Sequence, residues 1–302
     1  MVEFKTYDES KLDEQIELVK DVIKDWDWVI WYPNKKSLKE SYSLENFTPE
    51  TRHYVYDKKK LVGFLSSTVE REIDGILWGS IHIPFIRKDY EYIEKDLMNR
   101  TIELLKSKGV KAIRAIAMPG WGETIPILER LNFKERTLLS YVTLFNVNKF
   151  VTPGYIRPKQ SIFDMEIENN FDFLIETISQ INSQLVDRVR KKINDYQINN
   201  SLISSIVTKI GDNLAYGLIY VLTNYLEMPG RAFLEVQQLL NNGEDHSIKA
   251  VLYATIKYLA HKADQAGYSI LWHEMRDINL LKDYEPLNLK FDPCYSYVLR
   301  ID

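Results

Sequence analysis

Residues 238–246 form a loop without regular pattern, in a setting that can offer backbone N–H groups to an anion. They follow a short apolar run at residues 232–236 that reads as a strand, and they precede a helical pattern. Its apolar positions are Ile248, Val251, Leu252, Ile256, Leu259, Ala260 and Ala263, spaced by three and four, and Gly267 ends it. A strand, a loop and a helix in that order present free backbone N–H groups and a positive dipole end to a phosphate or carboxylate. Glu235 lies inside the same strand, where alternation sets it opposite Leu234 and Val236. The histidines, at positions 53, 82, 246, 261 and 273, show no ligand spacing, and no metal is expected. His82 could act as a base, but it reads better as a core histidine with a hydrogen-bond partner. Cys294 is the only cysteine, which excludes an internal disulfide framework, and it reads as a buried packing thiol.

The elements that must position these residues come from a chain of 302 residues, enough for two domains. Hydrophobic content of 45% and charged content of 27% are those of a globular protein. The first half is neutral and the second carries the net charge of −4, so neither has the basic excess of a nucleic-acid binder. No apolar run is long enough to span a bilayer, and the first residues lack the pattern of a secretion signal, so a cytoplasmic protein without membrane or nucleic-acid partners is expected. The lysines at 58–60 read as a solvated hairpin tip.

The patterns in order are a strand at 2–7, a helix capped by Ser10 or Asp13, a Trp- and Tyr-rich stretch at 26–42 with a second short helix, and a hairpin of 52–56 with 61–68. A strand at 77–83, a loop at 84–89 and a helix at 90–108 follow. Then come a strand at 110–118, a short helix at 121–131 and closing strands at 133–147. Pro153, Gly154 and Pro158 mark a boundary. The order then begins again: strand 163–167, helices 171–192 and 201–208, strands 214–223 and 232–236, the long helix to 266, strand 268–273, a short helix at 279–287 and a last strand at 295–301.

The repetition has landmarks. Leu61-Val62-Gly63-Phe64 answers Ala215-Tyr216-Gly217-Leu218, Lys108-Gly109-Val110 answers Ala266-Gly267-Tyr268, and Leu128-Glu129-Arg130-Leu131-Asn132-Phe133-Lys134 answers Tyr284-Glu285-Pro286-Leu287-Asn288-Leu289-Lys290. The offsets are 154, 158 and 156 residues. The domains expected are 1–147, a linker at 148–160, and 161–302.

With this order of elements, with residues 127–135 and 283–291 similar to a late "Tyr-Glu-Lys-Leu-Gly-Phe" helix-to-strand motif, and with Val62-Gly63-Phe64 in its usual place, each half resembles a GNAT domain, the Gcn5-related N-acetyltransferase superfamily. The resemblance implies an α/β (α+β) chain of two GNAT-like domains in tandem. Each would be a mixed, mostly antiparallel splayed sheet flanked by helices, with acetyl-CoA, or another acyl-CoA, in the splay. It implies a pyrophosphate on the loop before the long helix, hence cofactor-binding roles for Val236, Gln238, Asn242, Gly243, Ser247 and Lys249, and for Arg87 in the first half. It also implies a strand carboxylate as base and a late tyrosine as acid, carried here by Glu235 and Tyr284. Leu128 stands at the tyrosine position of the first half, and Tyr90, Glu91, Tyr92 and Glu94 stand near its expected glycines. The second half is therefore the expected catalytic one and the first a degenerate partner.

The expected function is acetyl transfer to a primary amine of a small molecule or protein, by a monomer with an internal pseudo-dimer or by a homodimer. The competing expectation is a non-catalytic binding or scaffold protein, since the loop glycines are depleted in both halves and Glu244 and Asp245 add negative charge to the second.

Overall fold

A computed structural model describes residues 2–26, 35–43, 47–151, 175–176, 186–187, 190–191, 194–195, 201–210, 213–221, 231–240, 245–276, 278, 281–284 and 287–301. The linker expected at 148–160 lies mostly outside these residues, as do the strand at 163–167, most of the helix at 171–192, and Trp28, Trp31 and Tyr32.

The strands are β1 (Val2–Lys5), β2 (Arg52–Asp57), β3 (Lys60–Ile73), β4 (Ile76–Ile81), β5 (Phe85–Ile86), β6 (Ala112–Ala117), β7 (Glu135–Asn146), β8 (Leu202–Ile210), β9 (Asn213–Tyr220), β10 (Arg231–Leu240), β11 (Ile270–Met275) and β12 (Asp292–Arg300). The α-helices are α1 (Leu12–Ile23), α2 (Lys35–Tyr42), α3 (Glu94–Ser107), α4 (Thr124–Arg130), α5 (Asp245–Gln265) and α6 (Leu281–Tyr284). Residues 201–208, expected to be helical, form β8 instead. Ile203, Ile206, Val207 and Thr208 are β-branched and fit a pleated surface better than a helix. The residue that caps the first helical turn is Asp8, which accepts from the Ser10 N–H at 2.9 Å, and neither Ser10 nor Asp13 does so.

The chain forms two compact units. Unit 1 contains the described residues of Met1–Ser140 and Asp292–Asp302, and unit 2 those of Tyr141–Thr223 and Met228–Phe291. In unit 1 the sheet runs β1-β2-β3-β4-β6-β12, with β5 also on β3. β4 and β6 are parallel, and the other pairs are antiparallel. One face packs on α3 through Val62, Leu65, Ile81, Leu97, Met98, Leu105 and Ile113, and Tyr297 of β12 belongs to this core. Leu18, Val19 and Ile23 of α1 cover Tyr54, Tyr56 and Phe64.

In unit 2 the order is β7-β11-β10-β9-β8, with β10 and β11 parallel. Its core is set by α5, whose Val251, Leu252, Ile256, Leu259 and Ala263 pack on Ala215, Ile219, Ala232, Leu234 and Leu271. The units exchange strands. Tyr141–Asn146 of β7 pairs with β11 of unit 2, while β12, which follows all of unit 2 in sequence, pairs with β6 of unit 1 from Tyr295↔Ala117 to Arg300↔Ala112. Chain order alone does not show this exchange.

The repeated glycine of the landmark motifs has one physical role in both units. A Cβ at Gly63 would lie 2.8 Å from Ile93 Cδ1, and one at Gly217 would lie 2.5 Å from Leu259 Cδ1 and 2.8 Å from Thr255 Cγ2. The missing side chain lets the helix approach the strand.

Candidate functional site

In unit 2, β10 and β11 share four rungs, from Arg231↔Ile270 to Leu234↔His273. They then part. β10 continues on β9 alone, from Glu235↔Leu218 to Leu240↔Leu214, and β11 continues on β7 through Met275↔Tyr141. Past Leu234 and His273 the facing edges of the two strands have lost each other as partners. A ligand with amide groups can add to such edges as an extra strand would.

Glu235 is the first residue of β10 beyond the fork. It is half-buried and accepts a hydrogen bond from the Tyr216 hydroxyl at 2.9 Å. The same hydroxyl lies 3.1 Å from Gln237 Oε1. Tyr216 is opposite Gln237 in the register, so Tyr216, Glu235 and Gln237 share one face of the sheet.

His273 closes the fork from the other face. Its Nδ1 lies 3.1 Å from the Leu234 carbonyl oxygen, which can only accept, so Nδ1 carries the proton. The ring is 1% exposed, and burial holds its pKa down to about 4, leaving a neutral imidazole at pH 7. Nε2 is buried with no hydrogen-bond partner among the described residues. Tyr284, on α6 and 2% exposed, stands against this ring at 5.3 Å between centroids, and Phe291 closes on both rings at 5.8 and 5.6 Å. His273 and Leu234 are register partners and so share a face, opposite that of Glu235. The structure therefore sets Glu235 and Tyr284 on opposite faces of the sheet, on either side of the fork.

Val236 and Gln238 are half-buried on β10 past the fork, and Lys249 is half-buried in the first turns of α5. The backbone of Ser247 is in α5, while its side chain, Asn242 and Gly243 lie outside the described residues. Sequence reasoning missed Tyr216 and gave His273 no role. The register of two neighbouring strands brings them to Glu235 and Leu234, and spacing along the chain does not encode that register.

Unit 1 has the corresponding fork. β4 and β6 share Trp78↔Ala112 to Ser80↔Arg114, after which the chain leaves β6 and joins β3 as β5. Its own aromatic rings stack there. The Trp26 indole lies 6.0 Å from Phe85 and 6.3 Å from Trp121, at interplanar angles of 20° and 18°. Gly122, at φ +53°, makes room for it, since a Cβ there would come within 2.8 Å of the indole nitrogen. Arg87 is held inside the unit. Its Nε donates to the Leu61 carbonyl at 3.0 Å, and its Nη1 pairs with Asp21. The start of α3 carries Glu94 and Asp96, and Arg130 binds Glu94 through both oxygens at 3.0 and 3.1 Å. Acids in this first turn interact with the helix dipole themselves. His82 is exposed and is not the core histidine expected from its strand position.

Among the described residues no cluster of His, Cys, Asp and Glu could hold a metal ion, and no helix is long and apolar enough to cross a membrane. Cys294 is buried.

No protein-family model matches the sequence, and no curated protein does. Solved structures do. A tandem GNAT protein from the clavulanic acid biosynthesis pathway aligns over 99% of this chain and 98% of its own, with TM-score 0.59 and 9% identity. A GCN5-related N-acetyltransferase from Sphaerobacter thermophilus aligns over 99% and 95%, with TM-score 0.57 and 8% identity. A GNAT-family acetyltransferase from Colwellia psychrerythraea aligns over 99% and 100%, with TM-score 0.53 and 14% identity. At such identities the likeness is one of fold. The forked mixed sheets and the alignment over nearly the whole chain agree that this protein has the tandem fold of the Gcn5-related N-acetyltransferases.

Proposed function

We propose that this protein is an N-acyltransferase that moves an acetyl group from acetyl-CoA to a primary amine, and that unit 2 holds the site. The observation that carries this reading is the fork at Leu234 and His273, with a carboxylate on one face and a buried tyrosine on the other. Beyond it, among the described residues, β10 and β11 no longer pair with each other, and such a parting suits the amide groups of a pantetheine arm. The thioester supplies the electrophilic carbonyl and the thiolate leaving group.

Glu235 accepts the proton that the amine must lose before or as its nitrogen attacks. Tyr216 orients that carboxylate through its hydroxyl. Tyr284, from the opposite face, donates the proton that the departing sulfur takes up. Base and acid on separate faces let the amine approach from one side while the sulfur leaves toward the other. Gln238 and Lys249 lie on the strand and helix that flank the loop proposed to hold the pyrophosphate.

Unit 1 is proposed as a structural partner. Trp26 fills the cleft that its fork would offer, and Asp21 holds the Arg87 fork. That self-filled fork also supports the second reading, a binding protein without catalysis, should unit 2 behave in the same way. Calorimetric titration of the intact protein with acetyl-CoA tests the choice. Saturable binding lost in Lys249→Glu and retained in Arg87→Gln is the expected result. No heat at millimolar acetyl-CoA excludes the transferase.

A further inference from the structure

Arg52, Ser66 and His82 form a row across three strands of unit 1. Arg52 on β2 is the register partner of Ser66 on β3, and the His82 N–H, just past β4, donates to the Ser66 carbonyl at 2.9 Å. Cross-strand neighbours point to the same side of a sheet. Tyr54, two residues beyond Arg52, marks that side as the face of α1, since its hydroxyl donates to Gln15 Oε1 at 2.7 Å.

The Arg52 guanidinium lies over the sheet. Nη1 donates to Thr51 Oγ1 and to the Ser67 carbonyl, both at 2.7 Å. The plane rests 5.1 Å from the Tyr42 ring and 5.2 Å from the Phe47 ring, and Tyr7 closes this box at 4.9 and 5.0 Å from the same two rings. These contacts fix where the cation sits, but they leave its other edge unused. Among the described residues, Nε is buried without a partner, Nη2 has no hydrogen bond, and no carboxylate pairs with the group. The other well-placed arginines do have acids: Arg87 has Asp21, Arg114 has Glu70, Arg130 has Glu94 and Arg300 has Glu135. A half-buried guanidinium with no acid beside it gains from an anionic ligand at Nη2. Desolvation by the surrounding fold first, and Arg52 second, hold the pKa of His82 below its ordinary value. His53, the strand neighbour of Arg52, faces the other side with Leu65, where Arg100 lies near it.

We propose that this row is a binding site for a small molecule carrying one carboxylate, held by Nη2 of Arg52 with Ser66 and His82 beside it. One cation without a lysine suits a monoanion better than a phosphate dianion. A carboxylate oxygen is a strong acceptor for a guanidinium N–H. The site lies within unit 1 and does not depend on whether unit 2 transfers acyl groups.

The test is NMR of the intact protein with labelled histidine, titrated with sodium acetate and sodium benzoate against sodium chloride at equal ionic strength. The His82 resonance is assigned by its loss in His82→Asn. The expected result is a saturable shift of the His82 signal with either carboxylate and a rise of about one unit in its pKa, as an added negative charge requires. Both effects should disappear in Arg52→Gln. If Arg52→Gln fails to fold, Ser66→Ala serves instead, and the thermal stabilisation by benzoate seen in wild type should fall at least threefold. A shift that is linear in salt, equal with chloride or unchanged in Arg52→Gln overturns the proposal. So does inorganic phosphate binding tighter than either carboxylate.

Discussion

The Tyr216 hydroxyl and Glu235 Oε1 are 2.9 Å apart, and the bond spans two neighbouring strands at the point where the sheet of unit 2 begins to open. Because β9 is buried along almost its whole length, Tyr216 cannot swing away and Glu235 is held where the fork starts. Removing the proposed base should lower kcat about 10²–10⁴-fold in Glu235→Gln, with the KM for acetyl-CoA little changed. Tyr216→Phe keeps the ring and loses only the orienting bond, so about a tenfold loss is expected. Steady-state assays over a panel of amines check both, and wild-type rates in Glu235→Gln would remove it from the mechanism.

Tyr284→Phe probes the opposite face. The ring is buried against His273 and Phe291, so the phenylalanine keeps the packing and removes only the hydroxyl proposed to donate the proton. A loss of kcat is expected with acetyl-CoA and a much smaller one with a thioester of a more acidic thiol, whose thiolate leaves without protonation. An equal loss with both donors would mean that Tyr284 is there for packing.

His273 predicts a pH dependence of unit 2. Its pKa is near 4 when folded, against an ordinary value of 6.5, so the unfolded chain binds the extra proton first as pH falls. Stability from this group is therefore complete above pH 6.5 and is lost progressively down to about pH 4. The loss is on the order of 3 kcal/mol. His273→Asn can keep the donor to Leu234 without titrating. Urea unfolding followed at pH 7 and pH 5 should show a smaller drop in midpoint for the variant, and parallel drops would contradict the assignment.

Gly217→Ala places a methyl group 2.5 Å from Leu259 Cδ1 and 2.8 Å from Thr255 Cγ2, so either α5 or β9 must move. A destabilisation of about 1–3 kcal/mol is expected. Gly63→Ala meets the end of the Ile93 side chain at 2.8 Å, which can turn aside, and should cost less. Thermal melts of the two single variants rank them.

Ending the chain after Phe291 removes β12, its six rungs with β6 and the buried Tyr297. Unit 1 should lose cooperative unfolding even though residues 1–140 are untouched, and a peptide of residues 290–302 added in trans should restore part of it. Hydrogen exchange at β6 reports this directly. Unchanged protection of Ala112–Ala117 in the shortened chain would refute the dependence.

Much of the fold could be read from the sequence because the duplication repeats physical needs. Gly63 and Gly217 admit a helix, Gly109 and Gly267 take φ +84° after a helix, and Asn132 and Asn288 take positive φ before a strand. Local pattern was insufficient where pairing decides. Residues 201–208 have spacing that a helix could also use, and their antiparallel partner β9 settles them as a strand. The strand exchange is invisible for the same reason, since an alternating strand does not name its neighbour. At the proposed site, Tyr284 stands out in the sequence through a motif and Glu235 through its place in a strand. Tyr216, His273 and Arg52 are defined by neighbours about 20 to 40 residues away or on another strand, and only register brings those together.

The exchange also sets an order in time. During synthesis, residues 292–300 leave the ribosome after every strand of unit 2, so unit 1 waits for its last strand while unit 2 already has all of its own. Its β6 edge stays bare until then, a surface on which another nascent chain could pair. A translation product interrupted anywhere before residue 292 would carry that edge permanently, and chaperones or proteases that read exposed strands would distinguish it from the finished protein.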